Sequence, residues 1–170
     1  MVMALAGMGA RTSSAADSAS ETVARHRMGL DVGVASAVGS VGASYQFAPR
    51  QWLRLEAGLG WGPTGTQLSA MPKVAFGGRS CRFMAGLGMS LAIGGGEATA
   101  NQSSPPASIP WLNLDAAGIE CRTSAGFSFQ GALGLTMPLA DFRYEFAEIG
   151  DTVHAGDLLP QGRLGVGWWF

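Results

Sequence analysis

The sequence predicts an all-β fold, an eight-stranded antiparallel up-and-down transmembrane β-barrel. Three observations lead to this prediction. Apolar residues alternate with small or polar residues along most of the chain, which is the period of a β-strand. Charged residues make up only 14% of the chain, well below the roughly 25% of ordinary soluble domains. No window contains about 18 consecutive apolar residues, so the sequence excludes a transmembrane helix.

Length and charge limit the remaining possibilities. A chain of 170 residues is one domain by length, and a formal net charge of −1 gives no reason to expect nucleic acid as a partner. We divide the chain into an N-terminal segment, 1–26, and a barrel, 27–170. The segment has an apolar run at 2–10 and small residues at 14–16, as a signal peptide has, but no Lys or Arg precedes the run. A disordered lead-in is the alternative.

Eight segments alternate with period two, and an even count is what single-chain bacterial barrels have. The segments are 28–38, 41–47, 53–61, 73–76, 81–91, a sixth that begins at Leu112, 127–137 and 163–170. Tight turns are predicted at 48–51, 77–80 and 123–126, and long loops at 62–71, 94–110 and 140–160. Short turns on one rim and long loops on the other are typical of outer-membrane barrels, whose short turns are periplasmic.

Aromatic residues fall near the two predicted rims, where their rings would meet a lipid–water interface. Phe47, Trp52, Phe76, Phe83, Phe127, Trp168 and Phe170 belong to the short-turn side, and Trp61, Trp111, Phe142 and Tyr144 to the long-loop side. The final strand carries Leu164, Val166, Trp168 and Phe170 at alternate positions and ends on an aromatic residue.

On these residues the chain resembles the small eight-stranded outer-membrane barrels, the OmpA transmembrane-domain and OmpX-like class. The resemblance covers about residues 27–170, and its most specific element is the final strand. It implies that this strand is the signal read by the outer-membrane insertion machinery. It also implies a porin-like barrel in the cell envelope of a Gram-negative bacterium, embedded in the lipids of the outer membrane.

Charged residues at inward positions balance in sign. They are Asp31, Glu56, Asp115 and Glu120 against Arg54, Lys73, Arg82 and Arg163. Small barrels have interiors filled by side chains, and buried charges must pair. We therefore expect an ion-paired plug in the lumen, and the alternative is a path for protons or ions.

The relative position of the two cysteines is predicted by the pairing of the fifth and sixth segments. If this hairpin folds symmetrically about residue 101, Arg82 opposes Glu120 and Cys81 opposes Cys121. The ion pair would point inward and the cysteines outward, which requires a β-bulge near 117–118. A disulfide between Cys81 and Cys121 is possible in an oxidising cell envelope. The alternative is two unrelated small apolar residues.

No motif indicates a cofactor, a metal or a catalytic site. Residues 60–65 match GxGxxG but lack the following helix and acidic residue of a dinucleotide site. His26 and His154 stand outside any spaced ligand cluster. We see no arrangement of serine, histidine and acid that would form a hydrolase site.

The expected function is that of a non-enzymatic structural or surface-interaction protein of the bacterial outer membrane. An extracellular partner would contact the three long loops. The alternatives are a soluble, lipocalin-like barrel for an apolar ligand and a lipid-modifying barrel enzyme. The soluble alternative needs its apolar residues inside the barrel. The membrane barrel and the soluble barrel are therefore distinguished by whether four apolar residues lie outside or inside the wall: Leu53, Leu87, Leu133 and Val166.

Overall fold

A computed structural model describes residues 25–78, 80–94, 108–146 and 149–170, with only the backbone for 142–152. The predicted N-terminal segment, apart from its last two residues, lies outside the described residues, as does most of the predicted loop 94–110. The described residues contain no helix that is long and apolar enough to cross a membrane.

The described residues are all-β, and eight of their ten strands close into an antiparallel barrel, as the sequence predicts. The strands are β1 (His26–Val34), β2 (Val41–Arg50), β3 (Leu53–Gly62), β4 (Gly65–Gly77), β5 (Cys81–Gly94), β6 (Ile109–Arg122), β7 (Phe127–Pro138), β8 (Phe142–Phe146), β9 (Ile149–Val153) and β10 (Leu159–Trp169). Their order around the barrel is β1-β10-β7-β6-β5-β4-β3-β2. Strands β8 and β9 form a separate hairpin between β7 and β10.

The first and last barrel strands complete the closure. Leu30 of β1 lies opposite Val166 of β10, and Val32 lies opposite Leu164. Every barrel strand therefore has two hydrogen-bonded neighbours. A closed sheet leaves no unpaired edge, so each barrel strand has a partner for its main-chain polar groups on both sides.

The prediction of a long loop at 62–71 is wrong. Strand β3 ends at Gly62 and β4 begins at Gly65, so only two residues connect them. Gly65 has a φ of 93°, which favours glycine in this tight turn. Residues 65–71 do alternate, but the apolar Met71 faces inward and the polar Thr66, opposite the exposed Trp61, faces outward, so apolarity does not follow the two faces.

The connection between β1 and β2 folds into the barrel. Val38, which the alternation assigned to the outer surface, is fully buried. It packs where Gly58 lacks a side chain, because a Cβ atom on Gly58 would overlap Val38 Cγ1. The Ser36 hydroxyl donates a hydrogen bond to the Gly39 carbonyl oxygen at 2.6 Å and holds the loop in this form. The loop therefore fills part of the lumen.

Strands β5 and β6 have the predicted register, with Arg82 opposite Glu120 and Cys81 opposite Cys121. An irregularity lies at Ala116, next to the predicted bulge position, because Asp115 pairs with Gly134 while Ala117 pairs with Leu133. One extra residue in a strand reverses the alternation beyond it. Asp115 and Glu120, five residues apart, can therefore both face inward.

The outer surface of the barrel is apolar. Leu87, Leu133 and Val166 are exposed and Leu53 is partly exposed. Aromatic rings cluster on the short-turn rim, where Phe76 stacks with Phe83 and Phe127 meets Trp168. On the opposite rim the two described aromatic residues of the predicted belt differ. Trp61 is exposed, but Trp111 packs inward against Ala92 and Ile109, and the side chains of Phe142 and Tyr144 are not described.

Candidate functional site in the barrel lumen

Four charged side chains meet in the middle of the lumen. Glu56 of β3, Lys73 of β4, Asp115 of β6 and Arg163 of β10 form what we call the charged quartet. Lys73 Nζ lies 2.9 Å from Glu56 Oε2 and 2.9 Å from Asp115 Oδ2. Arg163 Nη1 lies 2.6 Å from Glu56 Oε1, and its Nη2 lies 3.4 Å from Asp115 Oδ2. The quartet is a closed ring of alternating charge.

The quartet is neutral and almost completely buried. Ions removed from water are stable only when partners and hydrogen bonds replace their hydration. Two amide side chains supply additional hydrogen bonds: Gln46 Nε2 donates to Glu56 at 2.6 Å, and Gln161 Nε2 donates to Asp115 at 3.1 Å. Four strands, of which β3 and β4 are neighbours, thus bring their charged side chains together inside the barrel.

A second polar layer lies toward the short turns. Arg27 Nε donates to Ser128 Oγ at 2.9 Å and lies 3.9 Å from Glu120. The indole nitrogen of Trp169 donates to Glu120 at 2.6 Å. Arg27 is not among the predicted lumen residues, because the first predicted strand begins at Met28. Extending the alternation backward from Asp31 would have placed Arg27 on the inward face.

Two predicted members of the network take other partners. The Arg54 guanidinium donates to the main-chain carbonyl oxygens of Arg50, Gln51 and Leu53, at 3.0 to 3.3 Å. Arg82 opposes Glu120 in register but donates to the carbonyl oxygens of Gly78 and Gln51. Both guanidinium groups therefore belong to the short-turn end of the lumen and not to the quartet.

Asp31 faces the lumen but stays outside the quartet. Its carboxylate is almost fully buried, and neither oxygen has a hydrogen-bond partner among the described residues. Its strand partners are Gly42 and Gly165. A Cβ atom on Gly165 would overlap Asp31 Oδ1, so glycine leaves the space in which this carboxylate lies.

Cys81 and Cys121 form a disulfide on the outer face near the short turns, with their Cα atoms 4.1 Å apart. The bond joins the ends of β5 and β6 that are far apart in sequence, since 40 positions separate the two cysteines. It therefore closes the β5–β6 hairpin at the end opposite its connecting loop.

The histidines lie away from the lumen network. His26 Nδ1 lies 2.6 Å from the Tyr45 hydroxyl oxygen, next to the rings of Phe47 and Phe170. His154 is exposed, 3.8 Å from Asp141. In the part of the chain that the structure describes, no three His, Cys, Asp or Glu side chains are grouped to hold a metal ion.

The fold and the lumen define the class of this protein as an eight-stranded antiparallel closed barrel with charged side chains filling its interior. Comparison with protein-family models, curated proteins and solved structures finds no match for the chain.

Proposed function

We propose that this chain is an integral β-barrel of a bacterial outer membrane, related in architecture to the OmpA transmembrane-domain and OmpX-like class. Its role is structural or surface-interacting and non-enzymatic. The observation that carries the proposal is the arrangement of side chains across the wall, in which the apolar residues point outward and the charged residues point inward.

The outer surface supports a lipid environment. Twenty-nine large apolar side chains of the described residues are exposed. Soluble monomers rarely expose a contiguous apolar patch larger than a few hundred Å², and moving each such side chain out of water is worth about 1.5–3 kcal/mol. The barrel strands are 9 to 14 residues long, and about 9–11 tilted residues are enough to cross the hydrocarbon core.

The charged quartet supports a barrel without an open pore. Eight strands enclose an interior that side chains can fill, and here Val38 and the quartet occupy it. Such a barrel anchors surface segments instead of conducting solutes. The candidate contacts for an extracellular partner are the remaining predicted loops, 94–110 and 140–160, the latter including the β8–β9 hairpin.

A soluble, lipocalin-like barrel would require the opposite arrangement of side chains. Its ligand cavity would be apolar, whereas Glu56, Lys73 and Arg163 occupy the centre here. A lipid-modifying enzyme would require a nucleophile and a base within hydrogen-bond reach on the outer rim. The contacts of His26 and His154 with Tyr45 and Asp141 do not include a serine or cysteine nucleophile.

Refolding and fractionation test the membrane proposal. Full-length protein, unfolded in urea and diluted into detergent or lipid vesicles, should fold into a β-rich species whose gel mobility changes on heating. Expressed in a Gram-negative host with an export signal, it should sediment with the outer membrane. A folded, monomeric protein that stays in solution without detergent would refute the proposal.

A further inference from the structure

The end of the barrel that carries the short turns opens into a basic cavity. Its volume is about 200 Å³, and it is lined by Arg25, Arg50, Arg54, Arg82 and Arg122. We call these five side chains and the space between them the arginine vestibule. Five of the eleven Lys and Arg residues of a chain with net charge −1 thus line one cavity. Such clustering is not expected from overall composition.

The positive charge of the vestibule is not balanced by nearby acids. Glu120 is the one acidic residue among its lining residues, and it already accepts a hydrogen bond from Trp169 and lies beside Arg27. The Nη1 atoms of Arg54 and Arg82 donate to the same Gln51 carbonyl oxygen, at 3.3 and 3.0 Å. Two like charges are therefore held close together with only a neutral acceptor between them.

The ring of Trp169, which we call the floor of the vestibule, contacts two of the five arginines. The guanidinium carbon of Arg54 lies 5.1 Å from the centroid of the Trp169 ring, and that of Arg122 lies 5.5 Å from it. Contact of a cation with an aromatic face leaves the N–H groups at the edge of the guanidinium available for an anion. Arg54 Nε is buried without a hydrogen-bond partner.

We propose that the arginine vestibule binds a small phosphate-bearing anion. Guanidinium groups match the oxygens of phosphate in paired, charge-assisted hydrogen bonds. A phosphate monoester carries a charge of about −1.5 to −2 and three acceptor oxygens, which suits a cavity with several uncompensated cations better than a single carboxylate does. Since a water occupies about 30 Å³, the cavity has room for one or two phosphate groups.

The vestibule lies at the short-turn end of the barrel, where it is open to solvent, so anion binding there does not depend on a membrane around the barrel. In the proposed orientation it opens toward the periplasm, on the side opposite the long loops. The phosphate could belong to a soluble molecule or to a lipid headgroup that reaches the rim. Both sources present the same chemistry to the arginines, and the experiment separates them.

The test uses full-length protein refolded in a maltoside detergent, which contains no phosphate, at low ionic strength. Pyrophosphate is titrated in, and binding is followed by calorimetry and by tryptophan emission, since Trp169 lies at the floor. The variant Arg25→Gln/Arg122→Gln removes two vestibule charges without touching the quartet. The control Arg143→Gln makes a charge change in β8, on the hairpin that follows β7 at the opposite end.

The expected result is saturable binding that added salt weakens and that the double variant weakens by at least about tenfold. The control should bind like the unmodified protein. If the double variant does not refold, Arg25→Gln alone serves, because Arg25 precedes β1 and should still weaken binding.

A second arm separates the two sources. Short-chain phosphatidic acid, whose headgroup is a phosphate monoester, would assign the site to a lipid headgroup if it competes with pyrophosphate and binds more tightly. Pyrophosphate binding without competition would assign it to a soluble phosphate. The proposal is overturned if neither anion saturates the protein at about 1 mM, or if the vestibule variants and the control lose affinity equally.

Discussion

Replacing Arg163 with methionine removes one of the two cations of the charged quartet and keeps a long, unbranched side chain. Glu56 and Asp115 would then share Lys73 as their only remaining cation in the quartet. Arg163 makes two contacts with Glu56, at 2.6 and 3.2 Å, and one with Asp115 at 3.4 Å. The substitution therefore leaves one buried negative charge without compensation.

The magnitude follows from these distances. At an effective dielectric constant of about 20, unit charges about 4 Å apart interact by about 4 kcal/mol. The variant loses two such attractions, which Arg163 makes with Glu56 and Asp115. It also loses the repulsion between Arg163 and Lys73, which contact the same two acids, and this offsets about one of the two attractions. The net loss is about 4 kcal/mol, within the roughly 3–5 kcal/mol observed when one partner of a buried ion pair is removed.

Equilibrium urea unfolding in lipid vesicles measures this loss, with the heat-dependent gel shift as a second readout of the folded state. The double variant Arg163→Met/Glu56→Gln restores neutrality and keeps the Lys73–Asp115 pair at 2.9 Å. It should recover at least half of the lost free energy of unfolding. Arg82→Met at the short-turn end, where the side chain is partly exposed, should cost no more than about 1 kcal/mol.

The reasoning is wrong if Arg163→Met unfolds within about 1 kcal/mol of the unmodified protein, or if the double variant is less stable than the single one. The first result would mean that the quartet is hydrated or rearranges freely. The second would mean that packing, and not charge balance, sets the cost of the substitution.

Three further predictions concern other parts of the barrel. Reducing the bond between Cys81 and Cys121 should lower the free energy of unfolding by up to about 4 kcal/mol, for a loop of 40 residues, and gels of the unfolded protein with and without reductant should differ in mobility. Gly58→Ala should cost about 1–3 kcal/mol through overlap with Val38, and adding Val38→Ala should recover part of that loss; an unchanged urea midpoint would contradict the packing described here. Leu133→Lys, at an exposed position of the wall, should cost about 2–4 kcal/mol in vesicles if the site faces the hydrocarbon core, and a negligible cost would count against the membrane proposal.

Local alternation was most informative where each face of a strand had one chemical character. In β10 the outward side chains are Leu164, Val166 and Trp168, and the prediction of the strand and its faces agrees with the structure. In β4 the inward Met71 and the outward Thr66 conceal the alternation, so only residues 73–76 were predicted as a strand and the part before them was predicted as a loop. The failure has a physical reason, because a strand forms through its ladder with both neighbours and not through the polarity of its own residues.

Most of the charged residues that face the lumen were predictable from the sequence, but their contacts with one another were not. The inward positions of most charged residues follow from period two, but the predicted balance of four acids and four cations omitted Arg27, which adds a fifth cation. Arg54 and Arg82 nevertheless bind main-chain oxygens, and Arg27 takes the place near Glu120 that Arg82 was expected to occupy. Side-chain length and the direction of approach decide such choices, and neither is contained in the alternation.

By itself, the sequence predicted the all-β class, the number of barrel strands, the faces of most of them and the register that places Cys81 opposite Cys121. Each of these depends on contacts within a strand or between consecutive strands. Only the tertiary structure decided which charges meet, because Glu56 and Arg163 are 107 positions apart and approach each other only when the barrel closes. Closure sets the stagger of all eight strands at once, and the space left by residues such as Gly58 and Gly165 then determines what the interior can hold.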